Sequence, residues 1–256
     1  MTYDTLKVTF HEGVCRVAFH RPEVGNAING RMINDITHLL ELCSADTGPD
    51  GRPVTVIVIE GGEDIFCAGG DFEAISENGT AGDPAPLYDI WLKLAEGPFV
   101  TVCLVKGRAN AGGVGFVSAS DIVIAEKTAR FGLSELLFGI YPACVLPFLI
   151  RRMGRRGAQY MTLMTKPVSA EEALSSGLVD VLAEDGEVAL RQHLARLRHL
   201  TRPALARYKS YLAGCSGDPV QDRQRALEAN RSMFSDPAVL AGIRRYVTKL
   251  KFPWET

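Results

Sequence analysis

Apolar and polar residues alternate from Leu6 to Phe10 and from Val14 to Phe19, on either side of Glu12-Gly13, and that period of two predicts a β-hairpin. The period then changes. Between Arg31 and Cys43, apolar Met32, Ile33, Ile36, Leu39 and Leu40 recur at helical spacing. A loop of turn residues, 47–53, leads into a β-branched run at 54–60, as a strand covered on both faces would read. Residues 77–86 are polar, with Gly and Pro, and are expected to be mobile. Residues 87–95 read as a helix stopped by Gly97-Pro98, and 100–105 as another buried strand. Short strands are expected at 122–125 and 129–131, with Ser134-Glu135 in the loop beyond. A helix over 146–153 ends in Arg151, Arg152, Arg155 and Arg156, and a capping-box pattern at Ser169-Ala-Glu-Glu172 opens another to Ser176. A turn and short strand occupy 177–182. From Glu187 the period is helical, broken at Thr201-Arg-Pro203 and between Cys215 and Pro219. Strands and helices alternate before residue 182 and helices dominate after it, which predicts an α/β core over 1–182 and a helical region over 183–256.

Composition narrows the class more than the function. The 256 residues carry a formal net charge of −2, which offers nothing to nucleic acid. Histidines 11, 20, 38, 193 and 199 lack metal-ligand spacing, and the six cysteines are scattered without a Cys-x-x-Cys, so no metal site is expected. That cysteine usage fits a reducing compartment. The start, Met1-Thr-Tyr-Asp4, shows no basic-then-apolar leader, and no apolar run is long enough for a bilayer. A cytoplasmic protein without membrane association is expected.

Two stretches carry candidate chemistry. The strand at 100–105 runs into Lys106-Gly-Arg-Ala-Asn-Ala-Gly-Gly-Val-Gly-Phe-Val-Ser-Ala-Ser-Asp121, where small residues from Gly115 to Ala119 read as a packed helix start. The strand at 54–60 is followed by Phe66-Cys-Ala-Gly-Gly-Asp-Phe72. The first N–H groups of a helix lack internal partners and carry the positive end of its dipole, so such a turn can hold an anion. Glycines there also suit plain close packing of strand against helix. Two such turns converging on one carbonyl oxygen would make an oxyanion hole.

These stretches, with Arg21-Pro22 followed by Asn26-Ala27, Gly112-Gly113, Phe131 to Pro142, Phe234-Ser-Asp236 and Lys251-Phe-Pro253, resemble the crotonase, or enoyl-CoA hydratase/isomerase, superfamily over nearly the whole chain. The resemblance implies a spiral of ββα turns with a helical C-terminal trimerisation region, assembled as trimers or hexamers. It implies a thioester substrate on the pantetheine arm of coenzyme A or an acyl carrier protein, no further cofactor, and an enolate held by the N–H groups of Gly70 and Gly112. Hydratases of the superfamily place one catalytic glutamate where this chain has Gly115, and the other at the position of Glu135. Pro86-Leu-Tyr-Asp-Ile-Trp91, Asn110 to Asp121, Ser134 to Phe148 and Tyr160 to Lys166 are similar to the dehydratases of polyketide β-branching cassettes. That similarity implies conversion of 3-hydroxy-3-methylglutaryl-acyl carrier protein to the 3-methylglutaconyl form, which a partner decarboxylase then consumes.

Elimination of water across C2–C3 needs a group that takes the C2 proton and returns it to the departing hydroxyl. Glu135 is assigned that role, against the alternative of a capping or salt-bridged glutamate. Asp71 is a second acid/base or the cap of a helix opening at Phe72. Asn110 orients the leaving hydroxyl or a water, or else ties two strands as a buried amide. Ala68, Tyr88 and Tyr141 are expected at the substrate, with packing as the alternative for the tyrosines. Cys67 and Cys144 read as small buried hydrophobes. The distal carboxylate asks for a cation, and Lys93, Lys106 and Arg108 are all candidates. The arginines at 151, 152, 155 and 156 greet an acidic carrier or simply end a helix. Against the dehydratase stand a degradative coenzyme A hydratase or isomerase and a non-catalytic carrier-binding subunit.

Overall fold

The structure is a computed structural model that describes residues 2–72, 76, 82–215, 219–252, 254 and 255. The hairpin forms as expected from β1 (Leu6–His11) and β2 (Val14–Phe19), with Leu6 opposite Phe19. Helix α1 (Gly30–Ser44) follows, its first turn capped by the Asn29 side chain. Strands then come in consecutive pairs: β3 (Val56–Glu60) with β4 (Ile65–Cys67), β5 (Val100–Val105) with β6 (Arg108–Asn110), and β7 (Ile122–Glu126) with β8 (Arg130–Gly132). The first of each pair joins a six-stranded sheet completed by β10 (Val181–Ala183), in the order β1-β2-β3-β5-β7-β10 and parallel beyond the hairpin. The second joins a four-stranded sheet, β4-β6-β8-β9, where β9 is Val168–Ser169 and only the β8–β9 pair is antiparallel. Helices α2 (Ala85–Glu96), α3 (Gly112–Ala119) and α4 (Leu146–Met164) alternate with these pairs, giving a spiral of ββα turns. The chain goes on through α5 (Ala170–Ser175), α6 (Gly186–Leu197), α7 (Arg202–Ala213), α8 (Pro219–Phe234) and α9 (Pro237–Lys249). No described helix is long and apolar enough to cross a membrane.

Alternation explains why the central strands read as unbroken apolar runs. On β3, Ile57 and Ile59 enter the main core with Met32 of α1, Trp91 of α2 and Phe116 of α3. Val56 and Val58 face the other way, into a cluster with Leu190 of α6 and Leu205 of α7.

Several elements differ from the periodic reading. Helix α3 opens at Gly112 rather than Gly115, and β4, β6 and β9 are too short to show a period. Helix α4 continues past Met153 to Met164; Gly154, at φ 74° and ψ 160°, interrupts its path where the pattern stops. Helices α8 and α9 part at Ser235-Asp236, where the Asp236 side chain accepts from Ala238 N–H at 2.8 Å and Pro237 opens the next helix. Arg152 turns inward from the basic cluster: it donates to the carbonyls of Leu178 (2.6 Å) and Ser120 (2.7 Å) and pairs with Asp180. Of the stretch expected to be mobile, residues 77–81 lie outside the described ones, and of the break after Cys215, residues 216–218.

A buried lysine ties the helical region to the elements that carry the turns. Lys209 on α7 is 3% exposed. Its Nζ donates to the carbonyls of Leu94 (3.2 Å) and Phe99 (2.9 Å) and to Asp121 Oδ2 (2.7 Å), which also accepts from Thr101 N–H (2.8 Å) and Oγ1 (3.0 Å). Burial pulls the Lys209 pKa below that of an ordinary lysine, and the attraction of Asp121 works against it. Removing one partner of a buried pair strands the other, at about 3–5 kcal/mol. Lys209→Ala is therefore expected to lower the unfolding free energy by about 3 kcal/mol in urea titrations. A loss below about 1 kcal/mol, the range of a surface pair, would show that this network does not hold α7 in place.

Candidate active site

Two backbone turns meet at the centre of the molecule. The first is shaped by residues 25–29 running alongside 67–71. Gly25 O accepts from Ala68 N–H (2.9 Å), Gly69 O from Ile28 N–H (2.8 Å) and Ile28 O from Asp71 N–H (3.2 Å). The buried Asn26, at φ 56°, locks this segment in place. Its Oδ1 accepts from Arg21 N–H (2.8 Å) and its Nδ2 donates to the carbonyls of Ile65 and Phe66, both at 3.2 Å. Bracketed by these bonds, the N–H of Gly70 has no hydrogen-bond partner among the described residues.

The second turn leads from β6 into α3. Ala111 N–H donates to Gly132 O at 2.9 Å. Ala111 itself sits at φ 47° and ψ −116°, a region that costs a residue with a Cβ on the order of 1–3 kcal/mol. The N–H of Gly112, first in α3, also lacks a partner among the described residues. The turns touch through Gly69, whose φ of 98° and missing side chain are both required: a Cβ there would lie 2.7 Å from Ala111 Cβ and 3.5 Å from Gly112 N.

Both free N–H groups border a cavity of about 550 Å³. Glu135 reaches it from the start of a 3-10 turn, Glu135–Phe138, beyond β8. The residue is 8% exposed and its Oε2 has no partner among the described residues. Burial pushes its carboxyl up to about 7, against opposing hydrogen bonds from the backbone at Glu135 and Ser134. A carboxyl titrating near neutrality can both take up and return a proton. Asp71 borders the same space, but its Oδ2 lies 3.5 Å from Arg21 Nη2, whose other terminal nitrogen bonds to Ala27 O.

Of the residues singled out in the sequence, Gly70, Asp71, Gly112, Glu135 and Tyr141 border the cavity. Tyr88, Asn110 and Ala68 do not. Tyr88 faces inward from α2, fully buried, with its ring 5.1 Å from that of Phe148 and its hydroxyl donating to Pro219 O at 2.7 Å. It is a packing residue, and the expected substrate contact is corrected. Asn110 stands over Gly132 across the β6–β8 pair, its Oδ1 2.9 Å from where a Cβ at 132 would sit. The glycine makes room for the amide between two strands, which fits the alternative reading of an amide that ties them. Ala68 is exposed at the end of β4, outside the cavity. Lys93, Lys106 and Arg108 are likewise absent from the wall, and Lys106 lies 4.0 Å from Glu126. Cys67 and Cys144 are buried thiols, each pushed up to about 12 by burial. The helix expected from Phe72 falls on residues 73–75, outside the described ones. Trp91 of α2 and Phe234 of α8, quoted in the resemblance without a role, line the cavity, as does Asn230 of α8, which carried no signal in the sequence. Among the described residues no three side chains converge as metal ligands.

A family model described as enoyl-CoA hydratase/isomerase matches residues 9–256. The chain belongs to this family. It is 49% identical over 260 positions to the bacillaene synthase dehydratase PksH of Bacillus subtilis, covering 100% of this chain and 98% of that one. The crystal structure of a polyketide biosynthesis enoyl-CoA hydratase (pksH) from Bacillus subtilis matches with a TM-score of 0.93 at 49% identity, over 98% of this chain and all of that one. The 2,3-dehydroadipyl-CoA hydratase of Escherichia coli is 31% identical over 185 positions, 70% of each chain. With Glu135 and both turns in place, this family member is a hydro-lyase.

The structure supplies the reason for its one departure from the two-glutamate hydratase pattern. A Cβ on Gly115 would lie 2.3 Å from Cζ2 and 2.5 Å from Cε2 of Trp91. The indole is 2% exposed and meets the rings of Phe116 and Phe148 edge-on, at centroid distances of 6.0 and 5.9 Å. It fills the space through which a side chain at 115 would have to pass. Gly115→Ala is expected to lower stability by about 1–3 kcal/mol through overpacking, read by thermal or urea unfolding, and Gly115→Glu by more. Trp91→Ala should relieve the penalty, and equal penalties in both backgrounds would rule out the indole as its source. A second expectation concerns Glu135, which titrates near 4.5 when unfolded and near 7 when folded. Below pH 4.5 both states hold the proton. Between 4.5 and 7 only the folded chain does, so stability falls as pH rises through this window. Glu135→Gln should therefore be more stable than the parent by about 1–3 kcal/mol at pH 8 and equal to it at pH 4. A difference that does not change with pH would mean the carboxyl is not raised.

Proposed function

We propose that the protein dehydrates a 3-hydroxy-3-methylglutaryl group, carried as a thioester on the pantetheine arm of an acyl carrier protein, to the 3-methylglutaconyl form during polyketide β-branching. The observation that carries this reading is one carboxyl, Glu135, whose Oε2 lacks a partner among the described residues, sharing a cavity with two backbone N–H groups likewise unpartnered, while Trp91 takes the room of a second carboxylate. The dehydratase named above, 49% identical over its whole length, supports the substrate class.

The chemistry follows from these parts. Gly70 and Gly112 N–H hold the thioester oxygen as it gains charge, an interaction of which each donor is typically worth about 10²–10³ in rate. The Glu135 carboxylate takes the C2 proton. The C3–O bond then breaks, and the same carboxyl gives its proton to the leaving hydroxyl, so that water departs and Glu135 is ionised again. Asp71, paired with Arg21, holds the first turn beside this site. Tyr141 borders the cavity and is exposed, where the arm would enter.

In the proposed setting the enzyme is cytoplasmic, a trimer or paired trimer, with residues 183–256 as the associating helical region. The apolar side chains of Tyr160 and Leu163, 59% and 61% exposed on α4, support association with further copies. A partner decarboxylase consumes the product.

The test is intact mass spectrometry of a carrier protein loaded with 3-hydroxy-3-methylglutaryl. The enzyme is expected to remove one water, and Glu135→Gln to slow this by about 10²–10⁴. Turnover of crotonyl-CoA with none on the carrier would replace the reading with a coenzyme A hydratase. Undiminished turnover by Glu135→Gln would remove Glu135 from its role.

A further inference from the structure

Asp71, Asp83 and Glu135 all border the cavity, and among the described residues no lysine or arginine does. The acyl group proposed above ends in a carboxylate. Placed against this wall alone it would meet only like charge.

One guanidinium stands directly behind the wall. Asp83 Oδ1 accepts from Arg231 Nη2 at 2.8 Å. Arg231 lies on α8 between Asn230 and Phe234, both of which border the cavity. Its charge also reaches Cys144, a cavity residue on the segment leading into α4, where it opposes the rise that burial imposes on the thiol. Four cavity residues from three parts of the chain, Asp83, Cys144, Asn230 and Phe234, thus place this cation at the same wall. The side chains of Arg231 and Asp83 are 50% and 57% exposed, so the pair between them is weakly held. A guanidinium has five donors, and one carboxylate leaves several of them for a second. Other arginines near the cavity are committed. Arg21 bonds to Ala27 O and faces Asp71, and Arg223 grips Asp89 through two bonds of 2.6 and 2.7 Å.

We propose that Arg231 determines specificity by receiving the distal carboxylate of a dicarboxylic acyl group at the wall beside Asp83, with the Asn230 amide as a neighbouring donor. The inference rests on the dicarboxylic substrate proposed above. Asp83 keeps the guanidinium at the wall while the cavity is empty, and the incoming carboxylate shares it. A neutral acyl group of the same shape gains nothing from this contact.

Two pantetheine thioesters that differ by the distal carboxylate, 3-methylglutaconyl and 3-methylcrotonyl, separate the possibilities. Their affinities are measured by calorimetric titration in the Glu135→Gln background, so that neither is turned over. The dicarboxylic ligand is expected to bind about tenfold or more tighter than the neutral one, as for a charge-assisted hydrogen bond. Adding Arg231→Gln should collapse that ratio towards one, and Arg231→Lys should recover part of it, since charge is retained and the fork is lost. A ratio preserved in Arg231→Gln overturns the assignment, as does an equal weakening of both ligands, which marks a packing role. Where the carrier substrate is dehydrated by the parent enzyme, such a result overturns only Arg231. A background protein with no preference for the dicarboxylic ligand overturns both this inference and the substrate on which it rests.

Discussion

The site depends on how closely two stretches of backbone approach each other. Parallel pairing of β4 with β6, Cys67 beside Ala109, sets the ends of these strands side by side. The residues that follow must then turn within van der Waals distance. At Gly69 a side chain would strike Ala111, and at Gly113 a Cβ would lie 2.6 Å from Cys67 O. The strained backbone of Ala111 is held by a bond to Gly132 O and by α3, buried along nearly its whole length. What this approach provides is a pair of main-chain donors fixed by the fold. No side-chain rotamer has to be ordered when charge develops between them, and that preorganisation is where most of the electrostatic work of such a site resides.

In the proposed mechanism the cavity wall around these donors favours one proton carrier. Desolvation raises Glu135 towards neutrality, and with no cation on the described wall only backbone hydrogen bonds at Glu135 and Ser134 oppose it. Asp71 shares the cavity and faces Arg21 at 3.5 Å. Glu135 and Asp71 thus share one cavity but differ in burial and in what stands beside them.

Much of the fold could be read in the sequence because its demands are local. The hairpin needed only alternation, the buried strands only a β-branched run, and the two turns only small residues after a strand. Gly70, Gly112 and Glu135, which border one cavity, were singled out through resemblance, since a candidate backbone donor can be recognised by the glycines that let it be approached. Side-chain direction was not legible in the same way. Asn110 lies two residues from Gly112, yet the pleat of β6 sends its amide over Gly132. Tyr88 is three residues from Trp91 on α2, and only the indole reaches the cavity; the tyrosine hydroxyl is taken by a carbonyl of α8, 131 positions away. Short strands and the kink at Gly154 escaped for a related reason, since each is fixed by a partner strand or a single backbone conformation rather than by a period.

The exchange of a carboxylate for an indole at Gly115 constrains the chemistry in both directions. Addition and removal of water pass through the same transition state, so a missing carboxylate slows hydration and dehydration alike and leaves their equilibrium untouched. In the proposed substrate C3 carries a methyl group, and an apolar ring surface tolerates that methyl better than a charged group requiring solvation would. The indole thus suits the branched acyl group proposed above. Net flow towards the unsaturated product must then come from a later step that removes it, and loss of carbon dioxide from the distal carboxylate would serve that purpose irreversibly.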